Sequence, residues 1–328
     1  MKRALFLHIG PPKTGTTALQ DILRGHDNTA IVYPKVGLWH DGSHHNLVLN
    51  MYSDYERPEV VRDDPERLLN AVAAEVAGSE RPVVISSEFL DGRDIEPFVE
   101  PLLDRLGRDR FRVEAVFVAR EHYEWLASVY DQRVKDFFRG ETADPDDFLS
   151  ARSQHPPFAT QVRRIEQSGV AIAAFDYRPA ETLVPRLLAH FGLSGRSDAP
   201  NTAANVSLGR LALIAMLCAN RADIPPETRV RIGRDLRKLP RRPAPPNFVF
   251  CGPAASRADA CFAADRKFLR DRFGIVIPEP SWLRDAPGLH FTDGEHDELE
   301  DFLSAFGPAG KAVLEEAEMY RGAGTRDW

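Results

Sequence analysis

The sequence predicts an α/β fold, a three-layer parallel sheet of about five strands with helices on both faces, followed by a helical C-terminal portion. Short apolar, β-rich runs recur at 4–9, 30–33, 82–86, 112–118 and 170–175. Longer stretches of helical periodicity separate them, and a parallel sheet needs such crossovers to bring the chain back to start the next strand. That alternation of strands and helices predicts helices on both faces of the sheet.

The elements follow in order. The run 4–9 reads as a buried strand, and it is too short for the apolar region of a secretory signal before Gly10, Pro11 and Pro12 interrupt it. Asp64 and Pro65 supply an N-cap and first helical residue, Leu68, Leu69, Val72 and Val76 form an apolar stripe, and Gly78 stops the helix. A second helix is expected over 122–138, and a third over 181–191 ending at Gly192. Beyond 200 the pattern turns helical: an apolar segment at 208–219, a basic stretch at 229–242, a Pro-rich loop at 241–247 and a helix at 265–273. In the tail Leu299, Phe302, Leu303 and Phe306 share one helix face, and the acidic segment 293–301 reads as an exposed face. No repeat is visible, so the simplest division is one α/β domain over 1–280 with a helical extension, 281–328, packed on it.

Composition excludes several classes of function. The 328 residues are 43% hydrophobic, enough for a full core, so disorder is not expected. A net charge of −7 argues against coating nucleic acid or lying on an anionic membrane, so any anionic ligand needs a local basic pocket. Cys218, Cys251 and Cys261 have no paired metal-ligand spacing and suggest neither a disulfide framework nor a zinc site. No stretch approaches the roughly 20 apolar residues of a membrane span, and a cytoplasmic location is the default expectation.

The chemistry concentrates first at 10–17, where the strand LFLHI runs into GPPKTGTT and then into the helix start TALQDIL. Strand, glycine-containing loop and helix N-terminus together make a phosphate cradle. The first N–H groups of a helix have no intrahelical partner, and the helix dipole adds positive potential there. Pro12, Lys13, Thr14, Gly15, Thr16 and Thr17 form this segment, Lys13 adding a charge and the threonines hydroxyl donors. The metal-binding triphosphate loop GxxxxGK[ST] would need lysine where Thr16 stands.

A second anchor is Arg120, at the carboxyl end of the strand RVEAVFVAR, where open α/β sheets bind ligands. Its planar fork suits a phosphate, and Ser128 in the following helix can share it.

With PKTGTT at 12–17 and the Arg120 to Ser128 spacing followed by Tyr130, the chain resembles the sulfotransferase superfamily. The resemblance extends more loosely to FDYRPAETLVPRLLAHFGL at 175–193 and to Asn205-Val206-Ser207. It implies a five-stranded sheet related to nucleotide kinases. It also implies 3′-phosphoadenosine-5′-phosphosulfate (PAPS) as co-substrate, with the 5′-phosphosulfate on 12–17 and the 3′-phosphate on Arg120 and Ser128. In-line transfer of a sulfuryl group to a hydroxyl or amine would need no metal, and Lys13 would stabilise charge on the leaving oxygen.

Such transfer benefits from a base. Glu88, closing the strand at 82–86, is ranked ahead of His45, which stands beside His44 in DGSHHNL. Trp39, Tyr52 and Tyr55 could line an acceptor pocket but fit the core as well, and the basic stretch 229–242, or Ser256-Arg257, could add a phosphate contact, though 229–242 reads equally as a solvated amphipathic helix with Ile232, Leu236 and Leu239 inward. The expected partner is a small-molecule, carbohydrate or lipid acceptor, without nucleic acid or stable membrane insertion. The competing readings are a P-loop-type kinase or nucleoside triphosphatase and a non-catalytic nucleotide-binding protein.

Overall fold

The computed structural model describes residues 2–25, 30–52, 61–136, 140–178, 180–193, 208–239, 250, 252–279 and 289–322. The elements run β1 (Arg3–Gly10), α1 (Thr16–Gly25), α2 (His45–Leu49), α3 (Pro65–Val76), β2 (Val83–Ser86), α4 (Glu96–Leu106), β3 (Phe111–Ala119), α5 (His122–Val134), α6 (Pro145–Arg152), α7 (Pro157–Gln167), β4 (Ala171–Asp176), α8 (Ala180–His190), α9 (Arg210–Arg221), α10 (Pro226–Leu236), α11 (Gly252–Phe273), α12 (Asp293–Ser304) and α13 (Gly307–Ala317). A 3₁₀ turn, Glu88–Leu90, follows β2, and another, Glu318–Tyr320, follows α13.

The first unit, 1–120 with 156–204 and 265–277, holds the sheet. Its strands are all parallel in the order β2-β1-β3-β4. Phe6 of β1 pairs with Val84 and with Glu114, which fixes the two faces. Phe6, Val84, Val116 and Val118 pack with Leu19 and Leu23 of α1 and with Leu183, Leu187 and Phe191 in and after α8. On the opposite face Phe117 meets Phe158 of α7 edge to face. Helices thus cover both faces, as expected from the alternation of strands and helices.

The run 30–33 adds only a bridge, Val32 to Val83, so the sheet has four strands among the described residues. Val32 exchanges bonds with the Pro82 carbonyl and the Val84 N–H. Pro34, which has no N–H to donate, then stops the ladder. Asp64 caps α3 by accepting from the Glu66 N–H, and Leu68, Leu69, Val72 and Val76 are its buried face. The N-terminus of α7 is capped by Asp265, whose carboxylate accepts from the Phe158 and Ala159 N–H groups at 3.0 and 2.7 Å.

The second unit, 121–155 with 205–264 and 278–328, is helical among its described residues. Ala212 to Ala219 of α9 are all buried, so this helix is apolar all round and forms the centre. Tyr130, Phe148, Phe250, Phe262 and Phe291 pack in the same core. A capping box between Thr292 and Glu295 starts α12, and Glu295, His296, Leu299 and Leu303 are its buried residues.

The helix expected over 122–138 is α5, ending at Val134. The helix expected over 265–273 begins earlier, at Gly252. Pro253 stands in its first turn, where a proline's missing N–H costs nothing. Tyr55, the motif at 205–207, the loop at 241–247, Cys251 and the division at 280/281 lie outside the described residues.

Candidate functional site

The phosphate-loop segment leaves β1 through Gly10, at φ +89°, and enters α1 at Thr16. A Cβ on Gly10 would lie 3.2 Å from the Pro12 nitrogen and 3.6 Å from Glu88 Cγ, so the loop closes directly against the turn after β2. Gly15 is also left-handed, at φ +83°. Lys13 is the one described non-glycine residue at positive φ, +67°. That conformation costs an L-residue about 1–2 kcal/mol and persists only where its surroundings impose it. Arg120 supplies one such restraint, with Nη1 donating to the Lys13 carbonyl at 2.8 Å. Its guanidinium also sits over the Tyr177 ring, 4.6 Å from the centroid. Tyr177 itself is tied by its N–H to the Ala119 carbonyl, so Arg120 leaves β3 already oriented.

Two threonine hydroxyls of the loop are engaged within the protein. Thr14 is buried and donates to the Pro11 carbonyl at 2.6 Å, which folds the turn. Thr16 donates to Glu88 Oε1. The N–H groups of Thr14, Gly15, Thr16 and Thr17 bond to no backbone carbonyl among the described residues. Such N–H groups on a loop entering a helix, with Lys13 in the same loop, can hold an oxyanion.

Glu88 therefore stands at the cradle. Burial pushes its carboxyl up from the ordinary carboxylate range, while the Thr16 hydroxyl and the Lys13 charge pull it down. Asp91, at the end of the same turn, is pushed up to about 7 by burial and by Glu88, against the Gly92 N–H and Arg164. Asp91 carried no sequence signal. Gln161 and Arg164 of α7 hold this turn: Gln161 accepts from the Gly92 N–H at 2.8 Å, and Arg164 donates to the Gly92 carbonyl at 2.6 Å.

The two histidines differ sharply. His44 accepts the Ser86 N–H at Nδ1, 3.2 Å, so Nε2 carries the proton and donates to the Pro34 carbonyl at 2.8 Å. With both nitrogens bound to backbone, its role is structural, and burial holds its pKa down at about 4. His45 is also buried, with Nδ1 2.9 Å from Ser87 Oγ and its ring edge-on to Trp39 and Phe89 at 5.0 and 4.3 Å. Gly37 allows this loop to pack: a Cβ there would lie 2.5 Å from Leu47 Cβ. Ser87, which couples His45 to the turn carrying Glu88, was missed in sequence although it adjoins Glu88.

The first unit thus assembles Pro12, Lys13, Gly15, Thr16, Thr17, Glu88 and Arg120 around one loop. Ser128 belongs to the second unit, on α5, where its hydroxyl donates to the Glu124 carbonyl at 2.9 Å. Tyr52 bonds through its hydroxyl to the Asp94 carbonyl, and the Trp39 indole N–H donates to Asn46.

No family model and no curated protein matches the chain. Among solved structures, it is similar to the mouse sulfotransferase SULT7A1 complexed with PAP. The match has 12% identity and a TM-score of 0.34, and covers 97% of this chain and 90% of that one.

Proposed function

We propose that the chain is a sulfotransferase that moves a sulfuryl group from PAPS to a hydroxyl or amine acceptor by in-line displacement. The observation that carries this reading is the bond from Arg120 to the Lys13 carbonyl, which joins the strand-end arginine and the anion cradle into one basic site. The 5′-phosphosulfate would lie on the N–H groups of 14–17, with Lys13 facing the oxygen on which charge grows as its bond to sulfur breaks. Arg120 would take the 3′-phosphate. Glu88 would accept the acceptor's proton; in the ground state it is held by Thr16 and sits in Lys13's field. His45 is the alternative base, oriented by Ser87.

Calorimetry with adenosine 3′,5′-bisphosphate and AMP tests this. Hydrogen bonds to a charged phosphate contribute roughly 1.5–3 kcal/mol each, so the bisphosphate should bind at least about tenfold more tightly. Equal affinities would remove the assignment.

The Thr16–Glu88 pair also favours a second reading. A hydroxyl at a helix start and a carboxylate at a neighbouring strand end are the groups that hold magnesium in P-loop nucleoside triphosphatases. Magnesium-dependent ATP hydrolysis, without preference for a 3′-phosphate, would promote it.

A further inference from the structure

We propose that His296, Asp297 and Glu300 on α12 bind a zinc ion, with Glu318 holding the histidine ring. His296 is 6% exposed, and its Nε2 lies 2.8 Å from Glu318 Oε1. A carboxylate only accepts, so Nε2 carries the proton, and the lone pair of a neutral ring then lies at Nδ1. That Nδ1 is buried and has no hydrogen-bond partner, and it lies 3.7 Å from Asp297 Oδ1, too far for a hydrogen bond. A buried ring nitrogen without a hydrogen-bond partner is costly, and this one lies beside the Asp297 carboxylate.

Glu300 stands one helical turn beyond His296 and so shares its face. One ligand atom from each of His296, Asp297 and Glu300 lies within 4.8 Å of the others. Metal–ligand bonds of about 2.0–2.2 Å would draw these atoms closer, which Asp297 and Glu300, both exposed, can reach by rotating. One imidazole and two carboxylates suit a borderline ion such as zinc, whereas calcium and magnesium take oxygen ligands. Two carboxylates balance its charge, and water would complete the tetrahedron. Glu318 on the other ring nitrogen is the outer partner that zinc-binding histidines use to fix their tautomer. The site lies wholly in the second unit and does not depend on the proposed transfer reaction. Its effect would be to fasten α12 to the Glu318–Tyr320 turn.

Chelator-treated full-length chain, titrated with zinc chloride in competition with a chromogenic chelator, tests the site. Glu300→Gln alters an exposed side chain, and its circular dichroism should match the parent. It should lose one equivalent of zinc, as should His296→Ala. Glu318→Gln leaves the three ligands in place and should weaken that equivalent by roughly ten- to a hundredfold. In zinc-soaked crystals an anomalous peak should lie about 2.0–2.1 Å from His296 Nδ1. Unchanged zinc affinity and stoichiometry in folded Glu300→Gln, or an anomalous peak only elsewhere, would overturn the proposal.

Discussion

Arg120 grips the carbonyl of Lys13 with one nitrogen while its guanidinium plane rests on Tyr177, so a side chain at the end of β3 sets the backbone of a loop after β1. Replacing Arg120 with lysine keeps the charge but loses the fork and much of the ring contact. The Lys13 conformation then loses a restraint. Affinity for adenosine 3′,5′-bisphosphate should fall about tenfold or more in calorimetry; an unchanged value would mean the arginine is only structural.

Lys13→Ala leaves the backbone donors of the cradle in place. Turnover should drop roughly a hundredfold or more with little change in nucleotide affinity, since the charge acts most strongly on the leaving oxygen. A stopped assay for sulfuryl transfer with a reactive acceptor separates the two effects. Equal losses in binding and turnover would place Lys13 in ground-state binding instead.

Glu88→Gln preserves shape and can still accept from Thr16, but it cannot take a proton. Turnover should collapse while donor affinity holds. His45→Ala removes a buried ring packed against Trp39 and Phe89, so it should lower thermal stability as well as any activity. If His45→Ala folds and is inactive while Glu88→Gln turns over, the two assignments exchange.

Stability should also depend on pH through His44. Its folded pKa, about 4, lies below the ordinary 6.5, so its contribution is complete above about pH 6.5 and is lost as pH falls through 4. His8, likewise buried with a pKa of about 4, acts in the same direction. Each contribution is at most about 3 kcal/mol, from the 1.36 kcal/mol that each pKa unit represents. Asp91 works oppositely: raised to about 7, it favours the fold below about pH 4 and withdraws that support as pH climbs through 7. Urea midpoints from pH 4 to 9 should show His44→Asn with a shallower acid limb and Asp91→Asn with a shallower alkaline one. Limbs parallel to the parent's would refute both.

The strands and the cradle were legible because they rest on local signals: apolar runs, and glycines flanking a lysine between a strand and a helix. The bonds from Thr16 to Glu88 and from Arg120 to Lys13 that hold the cradle were not, because they join residues far apart in sequence. Nothing near Thr16 indicates that its hydroxyl turns to Glu88, and nothing near Asp265 indicates that it caps α7. The tandem histidines look equivalent on paper, and only the Pro34 carbonyl and Ser86 N–H reveal that His44 is spent on backbone. The bridge at Val32 was over-read as a strand because apolar composition cannot reveal where a ladder stops.

Ser86 does for β2 what hydrophobic pattern cannot. The strand is only Val83–Ser86, buried throughout, so apolar residues on either face leave its alignment undetermined. Ser86 pairs with His8, its hydroxyl accepts from Gln20 and bonds His8 Nδ1, and its own N–H and carbonyl are both taken by His44. Sliding β2 by one residue would swing that hydroxyl to the opposite face and strand the amide of Gln20 and both imidazoles away from water. Each orphaned group would cost about 1–3 kcal/mol. The serine works as a key cut for one position of the lock, which lets a strand this short keep Glu88 opposite Thr16.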